Sequence, residues 1–129
     1  MIILKPFLAA CIYLLFITST HAGSELQDMS GNQISLSDLR GKWVLINYWA
    51  SWCRTCVDEI PELNRFYEEN KNIALFAVNY DAIPFDTQQK LIKQLDIRYP
   101  SLIKDPANVL QLGDIRGVPV TFVFNPKEN

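Results

Sequence analysis

Two cysteines carry the chemistry that can be read from this chain. Cys53 and Cys56 are separated by Arg54 and Thr55, which puts the second sulfur about one helical turn from the first. Such a pair exchanges disulfides: one thiolate attacks a partner disulfide, and the other resolves the mixed disulfide that forms. The chain holds one further cysteine, Cys11, and one histidine, His21, both in an apolar leader. With the leader removed, neither an imidazole nor a third thiol remains. A structural zinc site needs a larger set of Cys or His ligands, and a Cys–His hydrolase needs a histidine base. Inventory alone excludes both, so no metal is expected.

The leader reads as a targeting segment. Lys5 is the one positive charge before a continuous apolar run from Phe7 to Ile17, and Thr20 and Ala22 have the spacing that signal peptidase tolerates. Residues 1–22 are therefore expected to be a signal peptide cleaved after Ala22, with an uncleaved membrane anchor as the alternative. The run is short for a spanning helix, which needs about 20 apolar residues. Leu8-Ala-Ala-Cys11 also resembles a lipoprotein box, but most of the hydrophobic segment follows it. Residues 23–129 suffice for one domain with a real core and not for two. A formal charge of -2 gives no basic footprint, so nucleic acid is not an expected partner.

The elements that position the cysteines follow from periodicity. Gly23 to Asp28 reads as a polar lead-in, Ser30 to Gln33 as a turn, and Ile34 to Leu36 as a short edge strand. Ser37 to Arg40 reads as one capped helical turn stopped by Gly41. Trp43 to Trp49 is nearly continuous apolar and aromatic sequence, the pattern of a strand buried on both faces. A helix follows to about Asn70, with Val57, Ile60, Leu63 and Tyr67 on one stripe and a kink expected at Pro61.

Beyond it, Ile73 to Asn79 reads as a second buried strand. Asp86 to Ile97 reads as an amphipathic helix with Leu91, Ile92 and Leu95 inward. Ser101 to Ile103 is expected to be a short strand, Ala107 to Leu112 a short helix, and Val118 to Phe124 a third strong strand. This alternation implies an α/β fold, a mostly parallel or mixed sheet with helices on both faces.

The pair thus follows a buried strand and opens a helix. A helix N-terminus carries roughly half a positive charge and unpaired N–H groups, and this lowers a thiol pKa from about 8.5 to roughly 3.5–7.5. Cys53 is expected to be the exposed, attacking sulfur and Cys56 the resolving one. A static structural disulfide is the alternative, and the strand–turn–helix setting favours the redox reading.

The segment Asn47-Tyr-Trp-Ala-Ser-Trp-Cys-Arg-Thr-Cys-Val-Asp-Glu-Ile-Pro-Glu62 resembles the active site of the TlpA-like (ResA- or CcmG-like) extracytoplasmic thioredoxins. Trp52, Cys53, Cys56, Glu59 and Pro61 match the W-C-x-x-C-x-x-E-x-P pattern. Gly31 to Lys42 resembles that family's N-terminal hairpin, and Gly117-Val-Pro-Val-Thr121 its cis-proline loop. The resemblance runs from about Leu26 to Phe124.

It implies a thioredoxin-like fold and a thiol–disulfide oxidoreductase that needs no cofactor. Pro119 would be the cis-proline facing the disulfide, with the backbone of Val118 pairing with an extended substrate segment. Glu59 would handle the Cys56 proton, because the strand position that is Asp in general thioredoxins is here Asn47, which does not titrate. Trp52 would form an apolar rim that partners touch, whereas Trp49 continues the strand into the core. Arg54 adds positive charge near Cys53. Protein thiols such as those of apocytochrome c are the implied substrates, with a membrane electron relay as donor and reduction as the direction.

Two departures stand out. Thr55 replaces the proline of many relatives, at a position that tunes potentials spanning roughly -270 to -120 mV in the superfamily. After Phe124 the sequence reads as a turn to Asn129, where the family continues with a strand and a closing helix, so an exposed sheet edge is expected. Two other functions compete. A peroxiredoxin-like peroxidase would need a P-x-x-x-T-x-x-C pocket, and Trp49-Ala-Ser-Trp52 stands in its place. A non-enzymatic thiol or metal-delivery module would favour His or Met near the pair, and neither is there.

Overall fold

Backbone groups that leave water must find partners in a ladder or a helix, and two long apolar runs among the described residues do so side by side. A computed structural model describes residues 25–127; the leader assigned to residues 1–22 lies outside the described residues. In chain order the elements are β1 (Glu25–Gln27), β2 (Gln33–Ser35), α1 (Leu36–Leu39), β3 (Trp43–Trp49), α2 (Arg54–Glu69), β4 (Ile73–Asn79), α3 (Phe85–Gln94) and β5 (Val120–Phe124). β3 and β4 coincide with the expected runs and pair in parallel, from Trp43 opposite Ile73 to Trp49 opposite Asn79. β5 pairs antiparallel with the other edge of β3, giving a mixed sheet of order β4-β3-β5.

Alternation along the strands divides the core in two. On one face Trp49, Leu75 and Ala77 pack with Cys53, Cys56 and Ile60 from the start of α2, and with Ile97 and Tyr99. Leu91 and Ile92 of α3, with Leu95 just past its end, close this side, as their spacing implied. On the other face Val44, Ile46, Tyr48, Phe76 and Val78 pack with Leu26, Leu39 and Leu102. α1 and the hairpin cover that second face, so both faces carry helix, although the long ones share the first.

The polar lead-in expected before Asp28 is instead β1, which pairs with β2. Asp28 makes this hairpin possible, because its carboxylate accepts from the Ser30 and Asn32 N–H groups and from Asn32 Nδ2, each at 2.9 Å. The expected strand at Ser101 to Ile103 is reduced to two isolated bridges, Ala77–Ser101 and Asp28–Leu102. The segment is shared between partners: Leu102 N–H donates to Ala77 at 2.8 Å and Ile103 N–H to Gln27 at 2.9 Å. It stitches the hairpin to β4.

The helix expected at Ala107 to Leu112 is a series of turns. Leu110 N–H closes one turn on the Pro106 carbonyl at 2.8 Å, and Gln111 then takes a left-handed φ of 53° that ends it. α3 stops at Gln94 rather than Ile97 because Asp96 has a left-handed φ of 53°. α2 is one helix through Pro61, which lies on its exposed side.

Asn64 fixes α2 to the segment after α3. It is buried, donates from Nδ2 to the Asp96 carbonyl at 2.6 Å and accepts at Oδ1 from Arg98 N–H at 2.8 Å. Val123 of β5 is 53% exposed. Among the described residues no strand pairs with the outer side of β5.

Candidate active site

β3 delivers the chain to the site. After Trp49 the backbone turns through Ala50 to Trp52, and Cys53 N–H donates to the Ala50 carbonyl at 3.1 Å. Cys53 is then the N-cap of α2, with extended φ/ψ of -89° and 103°. Its carbonyl takes the Val57 N–H at 3.1 Å and its Sγ accepts the Cys56 N–H at 3.2 Å. A sulfur thus occupies the place of the usual capping oxygen, where helix N–H groups and the positive end of the dipole converge. The first turn of α2 carries no acidic residue to oppose that field.

Cys53 and Cys56 form a disulfide, with Cα atoms 5.2 Å apart. Both are covered, at 6% and 3% exposure. The expectation of an exposed Cys53 sulfur is not met in this state. Cys53 lies with Cys56 in the cluster that contains Trp49, Ala50, Ile60 and Tyr99, and these neighbours cover it. The Thr55 hydroxyl lies 3.8 Å from Cys53 Sγ. Arg54 is exposed and 3.8 Å from Asp58, an ion pair that solvent leaves weak.

The remaining expected residues fall around this centre. Trp49 is core, at 1% exposure, while Trp52 is 65% exposed. The Val118–Pro119 peptide bond is cis, Pro119 is exposed, and Val118 packs against the cluster that contains both cysteines. Glu59 is exposed on α2. Burial, and then the charge of Glu59, push the Tyr99 phenol far above its ordinary range. No group of three or more metal-ligating side chains occurs among the described residues.

Several residues at the site have no expected role. Asn47 is buried, accepts from the Tyr99 hydroxyl at 3.4 Å and donates to Thr121 Oγ1 at 3.0 Å. A polar side chain inside an apolar strand was the available signal for it. Asp81, which accepts from Trp52 Nε1 at 2.8 Å, lies 29 positions away and had none.

The comparisons with known proteins agree with this architecture. The AhpC/TSA family matches residues 19–129. Thiol-disulfide oxidoreductase ResA of Bacillus subtilis is 32% identical over 104 residues, covering 79% of this chain and 58% of that protein. ResA of Geobacillus kaustophilus is 30% identical over 111 residues, covering 84% of this chain and 63% of that one. The chain therefore spans about three fifths of the length of these curated relatives.

Among solved structures, StoA from Bacillus subtilis superposes with a TM-score of 0.67 at 22% identity, covering 84% of this chain and 83% of that one. The thioredoxin domain of a thiol-disulfide oxidoreductase from Bacteroides vulgatus gives 0.64 at 26%, covering 82% and 79%. The fold is thioredoxin-like, and the resemblance read from Trp52 to Pro61 extends along most of the chain. On the match over residues 19–129, the chain belongs to the AhpC/TSA family.

Proposed function

We propose that this chain is an extracytoplasmic thiol–disulfide oxidoreductase that reduces protein disulfides through Cys53 and Cys56. The observation that carries the reading is the disulfide itself, seated as the N-cap of α2 directly after a buried strand. In the dithiol form, the Cys53 thiolate attacks one sulfur of a substrate disulfide and the first substrate thiolate leaves. The Cys56 thiolate then attacks Cys53 Sγ and the second substrate thiolate leaves. Two electrons pass to the substrate, both of its thiolates take up protons, and the chain is left as the disulfide described above.

Around that exchange, Glu59 takes the proton released when Cys56 becomes a thiolate. The backbone of Val118 beside Pro119 pairs with an extended substrate segment, and Trp52 borders it. Residues 1–22 act as the signal peptide of a domain over 23–129, which places the site where disulfides persist. Protein disulfides such as that of oxidised apocytochrome c are the proposed substrates, and a membrane thiol relay restores the dithiol. Among the described residues no helix is long and apolar enough to cross a membrane.

Family membership by itself embraces more than one thiol chemistry. The relatives named ResA, and a sulfur whose bonded partner is three residues away, favour disulfide exchange over peroxide reduction. Insulin reduction tests the reading. Wild type is expected to precipitate the insulin B chain, Cys53→Ser to be inactive, and Cys56→Ser to accumulate a mixed disulfide through Cys53. A Cys56→Ser protein that traps nothing would sink the proposal.

A further inference from the structure

Two hydrogen bonds fasten the turn that leaves β4 to the active-site loop, and a third braces the turn itself. Tyr80 N–H donates to the Trp49 carbonyl at 2.9 Å, continuing the contact of β4 with β3 past the end of the strand. Asp81 N–H donates to Asn79 Oδ1 at 2.8 Å, and Asn79 is itself buried. The Asp81 carboxylate then accepts from Trp52 Nε1 at 2.8 Å. Ala82 follows with a left-handed φ of 47°, so the chain reverses immediately after this contact.

The consequence is felt at Trp52. With 65% of its surface in water, this indole is held by few packing contacts. What fixes it is the polar tether to Asp81 on one side and the Tyr80 ring on the other, edge-on at 6.5 Å between centroids. Tyr80 is 37% exposed. Two amphipathic rings therefore stand together in solvent beside Cys53, in a fixed relative orientation. Exposed Trp and Tyr with set rotamers are the side chains that protein recognition favours, because little freedom is lost when a partner arrives.

We propose that Asp81 is a positioning residue for substrate recognition: it holds Trp52 against Tyr80, and the two rings form an apolar ledge beside Cys53. An apolar side chain flanking the partner's disulfide rests on that ledge. The inference depends on the exchange reading above. Asp81 acts through Trp52 and does not touch either sulfur, so its loss is felt in substrate binding and not in the sulfur chemistry.

Steady-state insulin reduction by the full chain separates these effects. Asp81→Ala is expected to raise KM about fivefold, the loss of one oriented hydrogen bond, with kcat held within about twofold. Asp81→Asn keeps an acceptor oxygen and is expected to restore most of the affinity. Trp52→Phe removes the donor instead and is expected to give the same rise, which keeps the test open if Asp81→Ala does not fold. In the Trp52→Phe background, Asp81→Ala should then add nothing. An active wild type whose KM ignores both Asp81→Ala and Trp52→Phe overturns the ledge alone, as does an additive double mutant. A wild type inactive on insulin overturns the exchange reading and the ledge with it.

Discussion

The Tyr99 hydroxyl donates to Asn47 Oδ1 at 3.4 Å, and Asn47 Nδ2 donates onward to Thr121 Oγ1 at 3.0 Å. One buried asparagine thereby joins the central strand, the segment after α3 and β5, on the sheet face that carries the disulfide. Asn47→Ala leaves the buried Tyr99 hydroxyl without its acceptor, whereas Thr121 is exposed and turns to water. Urea denaturation is expected to show a loss of about 2 kcal/mol for Asn47→Ala and about 1 kcal/mol for Tyr99→Phe. Losses below about 0.5 kcal/mol in both would mean that the network holds nothing together.

Alkali should act on two tyrosines. Burial, then the hydrogen bond to Asp105 at 2.5 Å and its charge, push the Tyr48 phenol far above its ordinary range; burial and Glu59 do the same for Tyr99. Both folded-state pKa values are raised, so their contribution is fully present below the unfolded value of about 10 and is lost as pH rises beyond it. Above that point the unfolded chain releases protons that the folded chain keeps. Stability is expected to fall by about 1.4 kcal/mol per pH unit for each tyrosine. Tyr99→Phe should halve this slope, and an unchanged slope would exclude Tyr99 as a source.

What could be read in advance follows the strength of local patterning. β3 and β4 were legible to the residue, because a strand buried on both faces has no polar alternation to blur its ends. The cysteines were legible because their chemistry needs only spacing and a helix start. The segments at Ser101 and Ala107 were not, since their structure comes from partners at Gln27, Ala77 and Pro106 rather than from their own pattern. Covering of Cys53 was missed for a related reason: burial is decided by Trp49 and Tyr99, both distant from it in pattern. Asp81 shows the same limit, being an ordinary exposed acid until the fold sets it beside Trp52.

Glu59 is exposed while the disulfide is closed, so its proposed work lies in the dithiol and mixed-disulfide states. Glu59→Gln keeps size and polarity but takes up no proton. Stopped-flow mixing with a disulfide substrate is expected to show first attack by Cys53 within about twofold of wild type, and resolution slowed about tenfold or more. Equal resolution rates would return Glu59 to the role of a solvated helix carboxylate.

The seam between α2 and the segment after α3 rests on Asn64, whose amide meets both a carbonyl and an N–H of the facing backbone. Asn64→Leu is close in volume but leaves the Asp96 carbonyl and the Arg98 N–H unpaired. A loss of about 2–4 kcal/mol in denaturant midpoint analysis is expected. Arg98→Ala should cost under about 1 kcal/mol, because its ion pairs with Glu68 and Asp96 are half exposed. Should the two variants lose equal stability, the seam would be electrostatic rather than hydrogen-bonded.

The direction of electron flow can be tested through stability. A reductase must hold its disulfide more favourably than its dithiol, and an oxidant the reverse. Two features oppose each other here. The N-cap position of Cys53, with the Cys56 N–H donated to its sulfur, favours a thiolate and so the reduced form. The closed ring constrains the unfolded chain and favours the oxidised form by about 2 kcal/mol for so short a loop. Cys56 at 3% exposure tilts the outcome: burial in the cluster with Ile60 and Tyr99 gives a charge there nothing to gain, so that only Cys53 draws on the helix terminus in the reduced form. The oxidised protein is therefore expected to unfold at higher denaturant than the reduced protein, with a potential well below about -220 mV. A reduced form that outlasts the oxidised one would reverse the proposed direction and make this chain a donor of disulfides.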